Sequence, residues 1–126
     1  MWIYVQRTGF LYRHTTEPEN YVDRGYAGQG AGWNNPNFEC IQDIGPIPVG
    51  GYMIGPIDNA GPSPESLFLT PDLMNQMCGR SRFWMHGDSI TNPGNASKGC
   101  IIMKLATRRA IAQSRDTVLR VISETG

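Results

Sequence analysis

The sequence predicts one mostly β domain (α+β) with a single main helix, and three observations carry that expectation. A chain of 126 residues can enclose one core but not two. Its 15 glycines and 9 prolines suit short strands joined by long loops rather than a helical bundle. The apolar runs are brief and bounded by turn residues, and one sustained stretch, from Met103 onward, has helical spacing.

Taken in order, residues 2–6 and 9–14 predict a hairpin turning at Arg7-Thr8-Gly9. Trp2 and Tyr4 alternate with Ile3 and Val5, so the first strand is expected to be covered on both faces. Residues 25–37, rich in glycine and asparagine, read as a loop. Their glycines lack the preceding strand and following helix that a dinucleotide site needs. Pro46 and Pro48 cannot donate ladder hydrogen bonds, so the next strand starts after them and runs to about Ile54. Residues 55–66 read as a proline-rich loop and 67–69 as a short strand. Thr70-Pro71-Asp72 reads as the start of a brief helix through about Cys78, with Thr70 as N-cap and Pro71 in the first turn.

Residues 82–86 read as a buried strand that delivers His86 at its end, followed by a loop built on Asn92-Pro93-Gly94-Asn95. After Cys100-Ile101-Ile102 the main helix begins near Met103. Met103, Ala106, Thr107, Ala110 and Ile111 form a small-residue stripe expected to face the sheet. Residues 117–122 close the domain as a last strand, with no internal repeat and no linker.

Charge excludes some partners. Lys+Arg and Asp+Glu stand at 11 each, so no overall field favours nucleic acid or an anionic membrane. Arg108, Arg109 and Arg115 read as a solvated helix face. No apolar run approaches membrane-spanning length, which argues against membrane insertion. The first residues lack the charged start and apolar centre of a signal peptide. Work outside the cytosol would therefore need a route other than a cleaved leader, unless one was removed. No apolar surface stripe argues for more than a monomer. The three cysteines leave two readings open: Cys40 paired with Cys78, with Cys100 free, or all three reduced with the first two as small buried hydrophobes.

The chemistry concentrates in His86-Gly87-Asp88 and Ser97-Lys98-Gly99-Cys100. A thiol is a useful nucleophile as its thiolate, and an imidazole within hydrogen-bond reach is the simplest activator. Gly99 permits backbone angles closed to other residues and can aim the amides of Gly99 and Cys100 at a developing oxyanion. Asp88 or a backbone carbonyl is expected to orient His86, and Ser97 to support the loop or bond near the thiol. Tyr26, Trp33, Asn34 and Asn35 offer flat apolar surface and amide groups for a peptide, and Gly87 and Lys98 flank the pair. No Cys-x-x-Cys or His-x-His spacing supports a metal, and no cofactor is expected.

These two segments resemble the signature of the L,D-transpeptidase (YkuD-like) catalytic domain, in which His-Gly and a loop precede Ser/Thr-His-Gly-Cys. Gly25-Tyr26-Ala27-Gly28, Asn34-Asn35-Pro36, Gly45-Pro46-Ile47-Pro48-Val49-Gly50 and Asn92-Pro93-Gly94 extend the likeness across most of the chain. They bring it nearer to the small L,D-transpeptidase-like effectors of type VI secretion. Lys98 stands where many members have a second histidine, and Ile102 where many have an arginine. The resemblance implies a single-domain β-sandwich with its helix after the catalytic cysteine. It also implies a Cys100 thioester formed on peptidoglycan stem peptides, with cleavage at the L-to-D bond, exchange of the terminal D-alanine, or cross-linking. It further implies secretion without a cleavable signal peptide, action in the periplasm of a target bacterium, a secretion-system carrier and a cognate immunity protein. The competing expectation is a non-catalytic module of the same fold that grips peptidoglycan or a partner protein.

Overall fold

A computed structural model describes residues 1–125. Among them the chain forms β1 (Trp2–Val5), β2 (Phe10–Arg13), β3 (Tyr21–Arg24), β4 (Tyr26–Ala27), β5 (Gly50–Asp58), β6 (Ser66–Pro71), β7 (Phe83–His86), β8 (Ile101–Ile102), α1 (Leu105–Ser114) and β9 (Val118–Ile122). The strands join in one sheet in the order β3-β2-β1-β9-β5-β6-β7-β8-β4. The two edge strands are consecutive in the chain, separated by Gly25 alone. The sheet therefore curls until its edges nearly meet. A Cβ at Gly25 would collide with the Ile102 carbonyl, so the closure requires glycine there. The mostly β character and the helix after Cys100 match the sequence expectation. Hydrogen bonding, however, unites the strands of the expected sandwich in a single sheet.

All four residues of β1 are buried, as its alternation predicts. Trp2 and Tyr4 join the main core with Leu67, Leu69, Met85, Ile101, Ile111 and Leu119, while Ile3 and Val5 pack with Tyr12 in a second cluster. β1 lies parallel to β9 and antiparallel to β2, so it is central in the sheet as well as covered on both sides.

Four expectations are corrected. Residues 26–27, at the start of the expected loop, pair with β8 as a short strand, and β5 runs past the expected end to Asp58, crossing Pro56 through a register shift between Ile54 and Ile57. A bulge is where a strand tolerates proline. No helix forms over 70–78. Pro71 instead pairs with Tyr52 at the end of β6, and Asn75 clamps Gly51 by both its side-chain oxygen and nitrogen. Cys78 (φ 56°) and Gly79 (φ 72°) are left-handed in succession, which ends any helix. The buried face of α1 is also different: Thr107, Arg108 and Ile111 are buried, while Ala106 and Ala110 are exposed. Arg108 therefore leaves the solvated cluster assigned to it.

Cys40 and Cys78 form a disulfide with a Cα–Cα distance of 5.2 Å, and Cys100 is free. The bond ties residues 39–46 to residues 77–82 across a sequence separation of 38. Confining a loop of that length in the unfolded chain corresponds to about 4 kcal/mol. The Cys40→Ser/Cys78→Ser double variant is thus expected to lose roughly 3–4 kcal/mol in a urea titration. A loss below about 0.5 kcal/mol would show that the unfolded chain gains little freedom when the bond is removed.

Candidate active site

Parallel pairing of β7 with β8 builds the centre of the site. Met85 aligns with Ile101 and His86 with Ile102, and the Met103 amide donates to the His86 carbonyl at 3.0 Å. One step earlier in the same register Cys100 lies beside Trp84, whose amide donates to Sγ at 3.3 Å. Side chains two apart on a strand share a face, so Trp84 and His86 point to the side that Cys100 occupies. Met85 and Ile101 point the other way into the core. His86 and Cys100 consequently line one cavity of about 360 Å³, together with Pro62, Arg80, Trp84 and Lys98. No hydrogen bond joins the imidazole to the sulfur, an arrangement common where catalytic bonds tighten only around substrate.

The imidazole is oriented by the backbone. His86 Nδ1 lies 2.8 Å from the Gly87 carbonyl oxygen, which can only accept, so Nδ1 carries the proton and Nε2 is the basic nitrogen. Burial pushes the imidazole below its ordinary pKa and Arg108 adds to this, against the Gly87 bond and Asp88. Burial pushes the Cys100 thiol up, with the Trp84 amide and the Arg80 guanidinium opposing. Both shifts favour the uncharged forms of the thiol and the imidazole. Lys98 is exposed on the cavity rim, and the cation whose field reaches the sulfur is Arg80.

Ser97, 2% exposed, is the polar knot of the loop. Its Oγ donates to the Cys100 carbonyl at 2.6 Å and accepts from the amides of Gly28 (2.8 Å) and Gly99 (3.0 Å). The Gly99 amide is therefore engaged by Ser97 and does not point at an oxyanion site as the sequence reading had it. Gly99 itself has φ 131°, and a Cβ there would lie 2.6 Å from Arg80 Nη2. Backbone freedom and close approach both demand glycine.

Asp88 does not reach the imidazole as a hydrogen-bond partner. It accepts from the Tyr26 hydroxyl (2.6 Å) and from the amides of Ser89 and Gly94, fixing the loop over 88–97. Burial raises this carboxyl, but the three donors together hold it below its ordinary value. Tyr26 is buried and stacks on the half-exposed Trp33, with ring centroids 5.5 Å apart. Asn34 accepts from the Ala27 amide, and Asn35 donates to Ala31 and caps the 3-10 turn Pro36–Phe38. None of Tyr26, Trp33, Asn34 or Asn35 lines the Cys100 cavity, and Gly87 borders a neighbouring cleft instead.

Arg80 is the residue that sequence reasoning missed. It is buried, stacks over Phe83, and donates to the carbonyls of Glu39, Gly45, Pro46 and Lys98 at 2.6–3.0 Å. One guanidinium thus gathers the segment before β5, the Gly99 turn and the start of β7 around the sulfur. A lone arginine after Gly79 carries no periodic or motif signal that could have found it.

Loss of the Ser97 hydroxyl strands two buried amides, so Ser97→Ala is expected to cost about 2–4 kcal/mol by chemical denaturation. Gly99→Ala meets both an unfavourable φ and Arg80, and should be at least as costly. Unchanged stability in both variants would show that the turn before Cys100 is not under this constraint.

Compared with known proteins, residues 22–125 match the family model of the Tlde1 domain. No curated protein and no solved structure matches the chain.

Proposed function

The chain belongs to the Tlde1 domain family of type VI secretion effectors, and from that premise we propose that it is a cysteine acyl-transfer enzyme acting on peptidoglycan stem peptides. The observation that carries this reading is the free thiol of Cys100 and the Nδ1-protonated imidazole of His86 opening into one cavity. Three cations, Arg80, Arg82 and Lys98, and one acid, Asp43, border that cavity, a balance suited to a peptide rich in carboxylates.

In the proposed reaction His86 Nε2 accepts the thiol proton as sulfur attacks the carbonyl at the L-to-D bond of a tetrapeptide stem. The S–C bond forms, the C–N bond breaks, and the same proton passes from the imidazole to the departing D-alanine amine. Water then attacks the thioester with His86 as base, releasing the tripeptide acid and restoring the thiol. A D-amino acid in place of water gives exchange. Shifts of both groups toward their uncharged forms favour concerted proton removal over a preformed thiolate–imidazolium pair. As a type VI effector the protein is delivered to target cells, and the proposed place of action is their periplasm, with a cognate immunity protein covering the cavity in the producing cell.

The second reading is a non-catalytic wall-binding module, favoured by the raised thiol and by the committed Gly99 amide. Turnover decides between them. Incubation with tetrapeptide muropeptides should release D-alanine, and Cys100→Ala and His86→Ala should each lower the rate at least 100-fold. Release surviving Cys100→Ala would end the covalent mechanism.

The pH dependence has a definite sign. A lowered imidazole pKa moves the acid limb of kcat/KM below the ordinary imidazole value of about 6.5. A raised thiol moves iodoacetamide labelling of Cys100 to a midpoint above the ordinary value of about 8.5. Rapid labelling at pH 6 would instead establish a preformed ion pair.

A further inference from the structure

A second cleft, of about 350 Å³, lies beside Gly87 and the N-terminus of α1. Arg108 forms its floor and is only 6% exposed. Its Nε donates to the Met103 carbonyl, and Nη1 donates to the carbonyls of Pro64 and Glu65. Nη2 makes no hydrogen bond among the described residues. It is held against the backbone of Gly87, where a Cβ would come within 2.9 Å of it. A buried guanidinium with one unused donor edge is a poor structural ornament and a good anion receptor.

The surroundings agree in sign. α1 begins at Leu105 without a side-chain N-cap and without an acid in its first turn, so its leading amides keep their donor capacity toward the cleft. The Lys104 ammonium stands at the same end, loosely paired with Asp23 at 3.7 Å. Both acids that border the cleft are engaged elsewhere: Glu65 by a two-pronged bond from Arg109, Asp88 by Tyr26 and two amides. The lips are apolar, with Ile90 96% exposed and Leu105 beside it.

We propose that this cleft is a carboxylate subsite that takes the free C-terminal carboxylate of a peptide's small terminal residue, through Arg108 Nη2 and the first amides of α1. Its apolar lips suit a methyl side chain. Gly87, which the guanidinium touches, also accepts the Nδ1 proton of His86, so an anion seated there is coupled to the imidazole. The proposal rests on the acyl-transfer reading for the identity of the peptide, with the carboxylate belonging to the residue whose amine His86 would protonate.

The test uses the full chain carrying Cys100→Ala, which cannot turn over. Titration with N-acetyl-D-alanine, followed by amide NMR, should shift Gly87, Leu105 and Arg108, whereas N-acetyl-D-alanine amide should leave them in place. Leu105→Glu adds an acid where a helix start favours one, so the fold is kept, and it should weaken the response to the acid at least fivefold. Equal shifts from acid and amide, or an undiminished response in Leu105→Glu, would overturn the subsite. Acid-specific binding without D-alanine release by the unmodified protein would remove the acyl-transfer reading and leave the subsite standing. Release without acid-specific shifts would do the reverse.

Discussion

Parallel pairing between residues 83–86 and 101–102 is the constraint on which the site depends. Parallel strands need a crossover, and here it is the loop over 88–97 and the turn through Ser97-Lys98-Gly99. Register then does the chemical work. Met85 and Ile101 are fixed in the core, so Trp84, His86 and Cys100 have no choice but the opposite face. A slip of one residue would bury the imidazole among Leu67 and Leu69 and turn the sulfur away from it.

Two polar groups keep that register in a domain with short strands. Ser97 ties the turn to Gly28, to Gly99 and to the Cys100 carbonyl, while Arg80 gathers four carbonyls from two segments. Each satisfies groups that would otherwise be buried without partners, and each would be costly to remove. The cation near the thiol is thus also a structural bracket. Its field opposes the effect of burial on Cys100 without overcoming it. Burial likewise pushes the imidazole below its ordinary pKa, so both side chains are shifted toward their uncharged forms.

The disulfide and Arg80 act on the same pair of segments. Cys40–Cys78 closes covalently what the guanidinium closes by hydrogen bonds, and both lie beside the cavity wall formed by residues 42–43 and 80–84. Asp88, Tyr26 and Trp33 form a separate bracket over the loop that connects His86 to Cys100. Residues that the sequence suggested would meet a substrate thereby act on the shape of the loop. The family match over residues 22–125 covers both brackets together with His86 and Cys100.

Much of the fold was legible because its signals are local. The alternation of Trp2 to Val5, the strand ending at His86 and the helix after Cys100 follow from periodicity and turn chemistry. Where reading failed, a distant partner had overruled a local preference. Thr70-Pro71-Asp72 is a fair helix start, but Pro71 is claimed by Tyr52 and Asn75 by Gly51. Arg108 sits in a stretch of charged and small residues and looks solvated, yet carbonyls at 64, 65 and 103 enclose it. The sequence by itself determined the glycine-dependent turn at Gly99 and the β-rich class, because glycine conformation and strand period belong to a residue and its neighbours. Only the tertiary structure decided the disulfide, the cavity that His86 and Cys100 share and the burial of Arg80 and Arg108. Burial and the direction of a guanidinium depend on atoms that are remote in the chain and adjacent only after folding.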